Sequence, residues 1–74
     1  MSSASHALLV ELGKRIRTLR QKKGWTQSEM AAYLDMNRGH LSDIERGKRE
    51  AGIITLQIIA RGLETTMAKL LKGL

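Results

Sequence analysis

Apolar residues recur at three- and four-residue spacings through most of the chain, which is the period of helices buried on one side. The first apolar stripe consists of Leu8, Leu12, Ile16 and Leu19. It predicts a helix over residues 5–23, which Gly24 ends. Proline and phenylalanine are absent, and Leu, Ile, Ala and Met supply most apolar positions, so strand signals are weak. The pattern therefore predicts an all-α fold.

A capping box marks the start of the second predicted helix. Thr26 can accept a hydrogen bond from an amide of the first turn, while Glu29, three residues later, reaches back to the cap amide. The helix is predicted over residues 27–34, with Met30, Ala31 and Leu34 facing inward. Ala31 is small enough to let a second helix cross closely, as a helix-turn-helix requires.

The third predicted helix follows after a tight turn at Asp35 and Met36. Asn37 can cap it, and Gly47 stops it, which gives a helix over residues 38–46. Leu41 and Ile44 point inward in this reading. The outer side then carries Arg38, Gly39, Ser42, Asp43 and Arg46, most of which are polar side chains suited to the edges of DNA bases.

Two further helices complete the predicted domain. Gly52 can cap a helix over residues 53–62, and Thr66 can cap a short one over 67–72. The inward positions of the fourth helix are Ile53, Leu56, Ile59, Ala60 and Leu63. Leu70 and Leu71 are expected to anchor the fifth helix in the core. Residues 5–74 therefore form one five-helix domain after a flexible start at residues 1–4.

Size and charge narrow the function. A chain of 74 residues forms one domain with a modest core and is too small for a separate catalytic domain. Its net charge of +6 favours a polyanionic partner, with nucleic acid ahead of an anionic membrane surface. Cysteine is absent, which excludes disulfides, thiol catalysis and thiolate zinc sites and fits a reducing cytosol.

Neither a membrane segment nor a catalytic centre is predicted. The longest apolar run near the N-terminus, residues 7–10, is far too short to span a bilayer, so we expect a soluble protein inside the cell. The histidines are His6, near the start, and His40, on the outside of the third helix. Neither has a second histidine or a thiol to complete a site, so we expect no enzyme activity, no metal and no cofactor.

Several short motifs occur together in a fixed order along the chain. They are Arg20 and Gly24, Thr26-Gln27 with Glu29 and Ala31, Leu41-Ser42, and the run from Ile44 to Arg49. Together they resemble the lambda-repressor-like, XRE-type helix-turn-helix family over about Leu12 to Leu71. The size is similar to that of stand-alone members such as restriction-modification controller proteins and small phage repressors. The resemblance implies a transcriptional regulator that is bacterial or phage-encoded, cytoplasmic and nucleoid-associated.

The resemblance also implies roles for single residues on double-stranded DNA. Gln27 would contact a phosphate and brace the first residue of the recognition helix. Arg38 would read guanine through its guanidinium fork, and Asp43 would either accept from cytosine or hold Arg38 in place. Phosphate contacts are expected from Asn37, Ser42, Lys48 and Arg49, and a phosphate or base contact from His40. Gly39, where relatives usually carry a polar reader, either permits close approach to the DNA or forfeits a base contact.

Two residues are expected to be architectural. Arg20 and Glu45 resemble the family's internal ion pair between the first and third helices. In the turn, Asp35 stands where the family commonly has glycine. Aspartate tolerates a left-handed conformation better than most residues, but at some cost, so a slightly altered turn is expected.

Ile54 and Ile58 lie one turn apart on the flank of the fourth helix, beyond the stripe that the core uses. With Met67, Leu70, Leu71 and Leu74 they predict a self-complementary patch that forms a two-fold homodimer. Each recognition helix would then enter the major groove of one half-site, about 34 Å from the other. The alternative is that these residues widen the core of a monomer.

Two other functions stay open from the sequence. An antitoxin-like or coactivator-like protein would use the same fold mainly to hold a protein partner. A non-specific basic DNA or membrane binder would not need the ordered polar residues of the third helix. Activation of transcription would require a contact with RNA polymerase, for which Glu11, Glu29 or Asp35 could serve.

Overall fold

Five helices make up the regular structure of residues 3–74, the part of the chain that the computed structural model describes. They are α1 (Ser3–Lys22), α2 (Gln27–Tyr33), α3 (Arg38–Glu45), α4 (Ile53–Gly62) and α5 (Met67–Leu71). The described residues contain no strand, which confirms the all-α prediction.

The helix boundaries fall close to the predicted ones. The largest difference is at the start of α1, which begins at Ser3 rather than residue 5, so Ser3 and Ala4 are helical and not part of a flexible segment. The first two residues of the predicted flexible start, Met1 and Ser2, lie outside the described residues. The other ends differ from the prediction by at most one residue.

Local side-chain hydrogen bonds explain where the short helices begin. The Thr26 hydroxyl accepts from the Glu29 amide at 3.0 Å, and the Glu29 carboxylate accepts from the Thr26 amide at 2.9 Å. The hydrogen bond from the Thr26 amide, followed by that from its side chain, lowers the pKa of Glu29. Thr66 caps α5 by accepting from the Lys69 amide at 3.1 Å. The predicted capping box and the Thr66 cap are therefore both present.

The turn between α2 and α3 contains a left-handed residue at Asp35, so the aspartate takes the conformation that glycine commonly supplies in the family and the turn is not altered there. Asp35 has a φ of 54°, where a side chain costs energy that glycine would avoid. Its amide donates to the Ala32 carbonyl at 3.3 Å, and the next amide, of Met36, donates to Ala31 at 2.8 Å. These bonds satisfy carbonyls at the end of α2 and fix the direction in which α3 starts.

The core lies between the five helices, with α1 packed on α3 and α5, α2 packed on α3, and α4 packed on α5. Its fully buried large side chains are Ile16, Met30, Leu41, Ile44, Ile59 and Leu70. Three residues predicted to be inward are instead exposed: Leu8 at 42%, Ile53 at 72% and Leu71 at 38%. Leu9 takes the place of Leu8 in the buried stripe. Ile53 stands on the first turn of α4, where no other helix covers it, and the short α5 buries only Leu70.

An aromatic stack covers the outside of the first loop. The rings of Trp25 and Tyr33 lie 5.0 Å apart, and the Lys23 ammonium is 5.3 Å from the Trp25 ring. Lys23 also pairs with Glu64 at 2.8 Å, and this hydrogen bond lowers the pKa of the Glu64 carboxyl. These contacts join the α1–α2 loop to the loop that follows α4.

Gly13 allows α1 and α3 to cross in contact. A Cβ atom at this position would lie 2.3 Å from the Glu45 carbonyl oxygen and 2.6 Å from that of Ile44. Ala31, predicted to let α2 and α3 cross closely, is buried, whereas the close approach of α1 to α3 at Gly13 was not predicted. A glycine in the middle of a 20-residue helix, where it lowers helix stability, is the signal that could have found it.

Arg15 attaches the last helix to the first. Its guanidinium Nη1 donates to the Leu70 carbonyl at 3.0 Å and also to the Lys72 carbonyl. A cation at the C-terminal end of a helix satisfies carbonyls that have no partner within the helix. The orientation of α5 is therefore fixed both by Arg15 and by the burial of Leu70.

The substitution Gly13→Ala tests the crossing. The added methyl would overlap the α3 backbone, which cannot move without displacing the helix, so we expect a loss of about 3 kcal/mol in the free energy of unfolding. Urea denaturation measures this loss. Gly52→Ser is the matched control, because its Cβ would meet no atom within 4 Å and serine is a good cap. Equal stability of the two variants would contradict the close crossing.

Candidate nucleic-acid interface

The outward face of α3 is defined by the residues that it buries. Leu41, Ile44 and Glu45 face the core. Helical geometry then places Gly39, Asp43 and Arg46, at i, i+4 and i+7, along the opposite line. Arg38 and Ser42 border this line on one side and His40 on the other. The residues predicted to meet DNA from this helix therefore share one surface.

Asn37 is a helix cap. Its side-chain oxygen accepts from the His40 amide at 3.0 Å, and its backbone is extended, as an N-cap requires. The side chain is exposed, and its amide nitrogen is left as a donor at the start of α3. Asn37 thus fixes the first turn of the helix and lies beside the residues of its outward face.

Gln27 is placed differently from the expectation. Its side-chain nitrogen donates to Glu45 Oε1 at 3.1 Å, so it braces the last residue of α3 and not the first. This corrects the brace that the resemblance implied, while the phosphate contact of Gln27 stays a prediction. The reason is tertiary: the N-terminus of α2 packs beside the end of α3, where a carboxylate is available as acceptor.

A buried ion pair lies beneath this face. Arg20 donates to both carboxylate oxygens of Glu45, at 2.8 and 3.0 Å, and both residues are less than 10% exposed. Arg20 also donates to the Trp25 carbonyl at 2.8 Å. Together with Gln27, these contacts link α1, the α1–α2 loop, α2 and α3. No buried side-chain nitrogen or oxygen between residues 3 and 74 lacks a hydrogen bond, so the network is fully satisfied.

Exposed cations border the outward face at both ends. Arg38 starts α3, Arg46 follows its last residue, and Lys48 and Arg49 continue into the loop. Within the described part of the chain, none of the four forms an ion pair with a carboxylate. Their charges remain available to an anionic partner, in line with the net charge of +6.

The apolar residues predicted to form a dimer patch divide into three groups. Ile54, Ile58, Leu71 and Leu74 are exposed, at 67%, 41%, 38% and 39%. Met67 is partly buried against the core, and Leu70 is only 2% exposed. Leu70 therefore cannot belong to a dimer interface, because it points into the core of its own chain. The sequence pattern could not separate it from its neighbour Leu71.

The described residues contain neither a candidate metal site nor a candidate membrane span. Between residues 3 and 74 no group of three or more histidine, cysteine or carboxylate side chains could hold a metal ion. None of the helices in this range combines the length and the apolar character that crossing a membrane requires.

Comparison with known proteins assigns the family. The family model HTH_3, described as helix-turn-helix, matches residues 16–70. The chain belongs to this helix-turn-helix family. The match includes α2, α3 and the buried Arg20–Glu45 pair, and it extends into α5. HTH_3 proteins of this kind are DNA-binding transcriptional regulators and not enzymes, as the sequence analysis expected.

Individual proteins similar to this chain include controller proteins of restriction-modification systems. The chain is 34% identical to the control protein C.MunI of Mycoplasma sp over 62 residues, which cover 82% of this chain and 84% of that protein. The restriction-modification controller protein C.AhdI of Aeromonas hydrophila has a similar structure, with a TM-score of 0.82 and 31% identity over 86% of this chain and 97% of C.AhdI.

A further controller protein of similar structure has been solved on DNA. C.Esp1396I, as a tetramer in complex with its natural 35 base-pair operator, has a TM-score of 0.76 and 33% identity. The similarity covers 85% of this chain and 83% of that one. The lambda-repressor-like fold and the XRE-type assignment are therefore confirmed.

Substitution of Glu45 by Ala tests the network. It leaves Arg20 buried without a counter-charge and removes the acceptor of Gln27, so we expect a loss of about 3–5 kcal/mol in the free energy of unfolding. The double variant R20M/E45L should be more stable than E45A, because neither charge is then left unpaired. Lys14→Ala is the control, since the Lys14–Glu11 pair is solvent-exposed and should contribute less than about 1 kcal/mol. A similar small loss for E45A would mean that the network does not hold α3.

Proposed function

We propose that this regulator binds a palindromic double-stranded DNA operator in a sequence-specific manner, as a homodimer, with α3 in the major groove. The observation that carries the proposal is the outward face of α3. It is polar, it has unpaired cations at both ends, and a buried network fixes it to α1 and α2. A fixed helix of this kind can present hydrogen-bonding groups to base edges in a defined register. The same role would place the protein on the nucleoid in the cytoplasm.

The residues of the proposed interface fall into two groups, one suited to base edges and one suited to phosphates. Arg38 is exposed at the first position of α3, and its guanidinium fork matches the two acceptors on guanine. Lys48 and Arg49 follow the helix and supply charge to the phosphate backbone. The remaining amide nitrogen of Asn37 and the Ser42 hydroxyl suit phosphate oxygens, and so does a ring nitrogen of His40. Phosphate contacts set the position, and base contacts set the sequence.

Arg38→Ala should change the sequence specificity of DNA binding, whereas Lys48→Ala should change only its affinity. Selection of bound duplexes from a random pool should give a symmetric consensus for the wild type. Arg38→Ala should lose preference at one base pair per half-site, with about 1–3 kcal/mol less discrimination. Lys48→Ala should weaken binding to all duplexes alike. It should also reduce the slope of the affinity against salt concentration by about the amount that one phosphate contact contributes. Equal wild-type affinity for selected and scrambled duplexes would refute sequence-specific binding.

Dimerisation would use the exposed apolar side chains on α4 and after α5. Ile54 and Ile58 lie one turn apart, and Leu71 and Leu74 add apolar surface at the end of the chain. Apolar residues exposed together favour a partner, and a two-fold dimer buries the same patch on both chains. The operator-bound tetramer of C.Esp1396I shows that a protein of similar fold assembles on DNA.

Substitution of Ile54 by Asp tests the interface. A charge in the centre of a buried apolar patch has no partner, so we expect the wild type to sediment as a dimer at micromolar concentration and I54D as a monomer. Tyr33→Gln is the control, since it removes a large exposed side chain on α2, outside the patch, and should leave the dimer intact. A monomeric wild type would exclude the homodimer. It would favour the second candidate function, in which the same apolar residues hold a different protein.

If the protein activates transcription, we predict that it also contacts RNA polymerase. Of the three carboxylates proposed for it, Glu29 is engaged in the capping box and Glu11 lies 3.8 Å from Lys14. Asp35 is exposed at the turn before α3. Asp35 is therefore the best placed of the three to meet a protein bound beside the operator.

A further inference from the structure

Gly39 lies at the centre of the outward face of α3, where a glycine is not required by the backbone. The glycines with positive φ between residues 3 and 74 are Gly24, Gly47 and Gly73, and Gly39 is not among them. A Cβ atom on Gly39 would meet only the side-chain oxygen of Asn37, at 3.0 Å. A glycine in a helix of eight residues lowers its stability relative to alanine. The backbone therefore does not require glycine here, and a side chain would press only on the cap oxygen of Asn37, which can shift by a few tenths of an ångström.

Asp43 lies one turn further along the same line, and its carboxylate has no partner among residues 3–74. It is partly buried, yet no hydrogen bond or ion pair within residues 3–74 engages its side chain. In particular, it forms no ion pair with Arg38. The expectation that Asp43 holds Arg38 in place therefore has no support in the free protein. An unpaired carboxylate beside DNA phosphates is unfavourable unless it accepts a hydrogen bond there.

The geometry of a helix connects these two residues. Each Cα–Cβ bond tilts toward the helix N-terminus, so the side chain of residue i lies over the turn that contains residue i−4. The Asp43 carboxylate is thus directed over the turn of Gly39, which has no side chain. The pair forms a notch in the outward face, with an acceptor beside bare helix backbone and with Arg38 and Arg46 nearby along the helix.

We propose that this notch reads cytosine: the Asp43 carboxylate accepts a hydrogen bond from the N4 amino group, and Gly39 allows the base edge to come close enough. The inference rests on the proposed DNA-binding function and specifies one of its contacts. In the major groove, guanine and thymine present acceptor atoms, which repel a carboxylate. Adenine presents an amino group beside the N7 acceptor, whereas cytosine presents the amino group alone. Asp43 therefore favours cytosine.

The test compares consensus sequences selected from a random duplex pool by the wild type and two variants. The wild type should show cytosine at one position per half-site that the Arg38 contact does not explain. Asp43→Ala should lose about tenfold discrimination at that position. Asp43→Asn should shift the preference there to adenine, because a carboxamide matches the N6 donor and N7 acceptor of that base.

Glu50→Gln is the matched control for charge. Glu50 is an exposed carboxylate in the loop after α3, so its neutralisation should raise the affinity for all duplexes alike and leave the consensus unchanged. If Asp43→Asn behaves in the same way, with the consensus unchanged, Asp43 only repels phosphates and the inference is overturned while specific binding stands. If the wild type itself selects no consensus, the proposed function fails, and the inference fails with it.

Gly39→Ala tests the second half of the notch. The added methyl should lower the affinity for the selected duplex at least tenfold, while the thermal unfolding midpoint of the free protein changes by no more than a few degrees, since alanine favours the helix. Gly52→Ser, which adds a Cβ away from α3, should bind the duplex like the wild type. Unchanged affinity of Gly39→Ala would show that close approach at this residue is not needed.

Discussion

The structure depends on the buried contact among Arg20, Glu45 and Gln27. A desolvated charge is stable only while its partner stays in place, so the bidentate pair restricts α1 and α3 to one relative position. Gln27 adds α2 to this arrangement through the same carboxylate. The crossing at Gly13 lets the helices approach until these bonds can form. The orientation of α3 is therefore determined from its buried side by polar groups that take no part in its outward face.

Because buried groups hold α3 in place, the residues of its outward face are available to contact DNA. Leu41, Ile44 and Glu45 carry the packing and the ion pair, while Asn37 fixes the first turn through a side-chain bond to the backbone. The groups between them need not stabilise the fold, so Gly39 and the unpaired Asp43 can be retained for recognition. Substitutions on the outward face should therefore have little effect on the stability of the fold.

Much of the fold follows from local sequence signals, because caps and turns depend on residues close in the chain. The capping box at Thr26, the cap at Asn37 and the left-handed Asp35 are of this kind. The periodicity is less informative about which residues are buried. A period of 3.6 identifies the apolar stripe of a helix, but it does not show which of two adjacent leucines is covered, as with Leu8 and Leu9 or Leu70 and Leu71. The Gln27–Glu45 bond and the Gly13 crossing join residues far apart in sequence, so no local pattern specifies them.

The most direct test of this account is an NMR titration of the protein with a selected duplex, followed through the backbone amide signals. If α3 is held as the DNA-reading element, the largest shifts occur from Asn37 to Arg49 and at the start of α2 near Gln27, and a scrambled duplex gives smaller shifts at α3. The core amides around Arg20 should keep their positions. Shifts centred on α4 and α5, with α3 unaffected, would contradict the account.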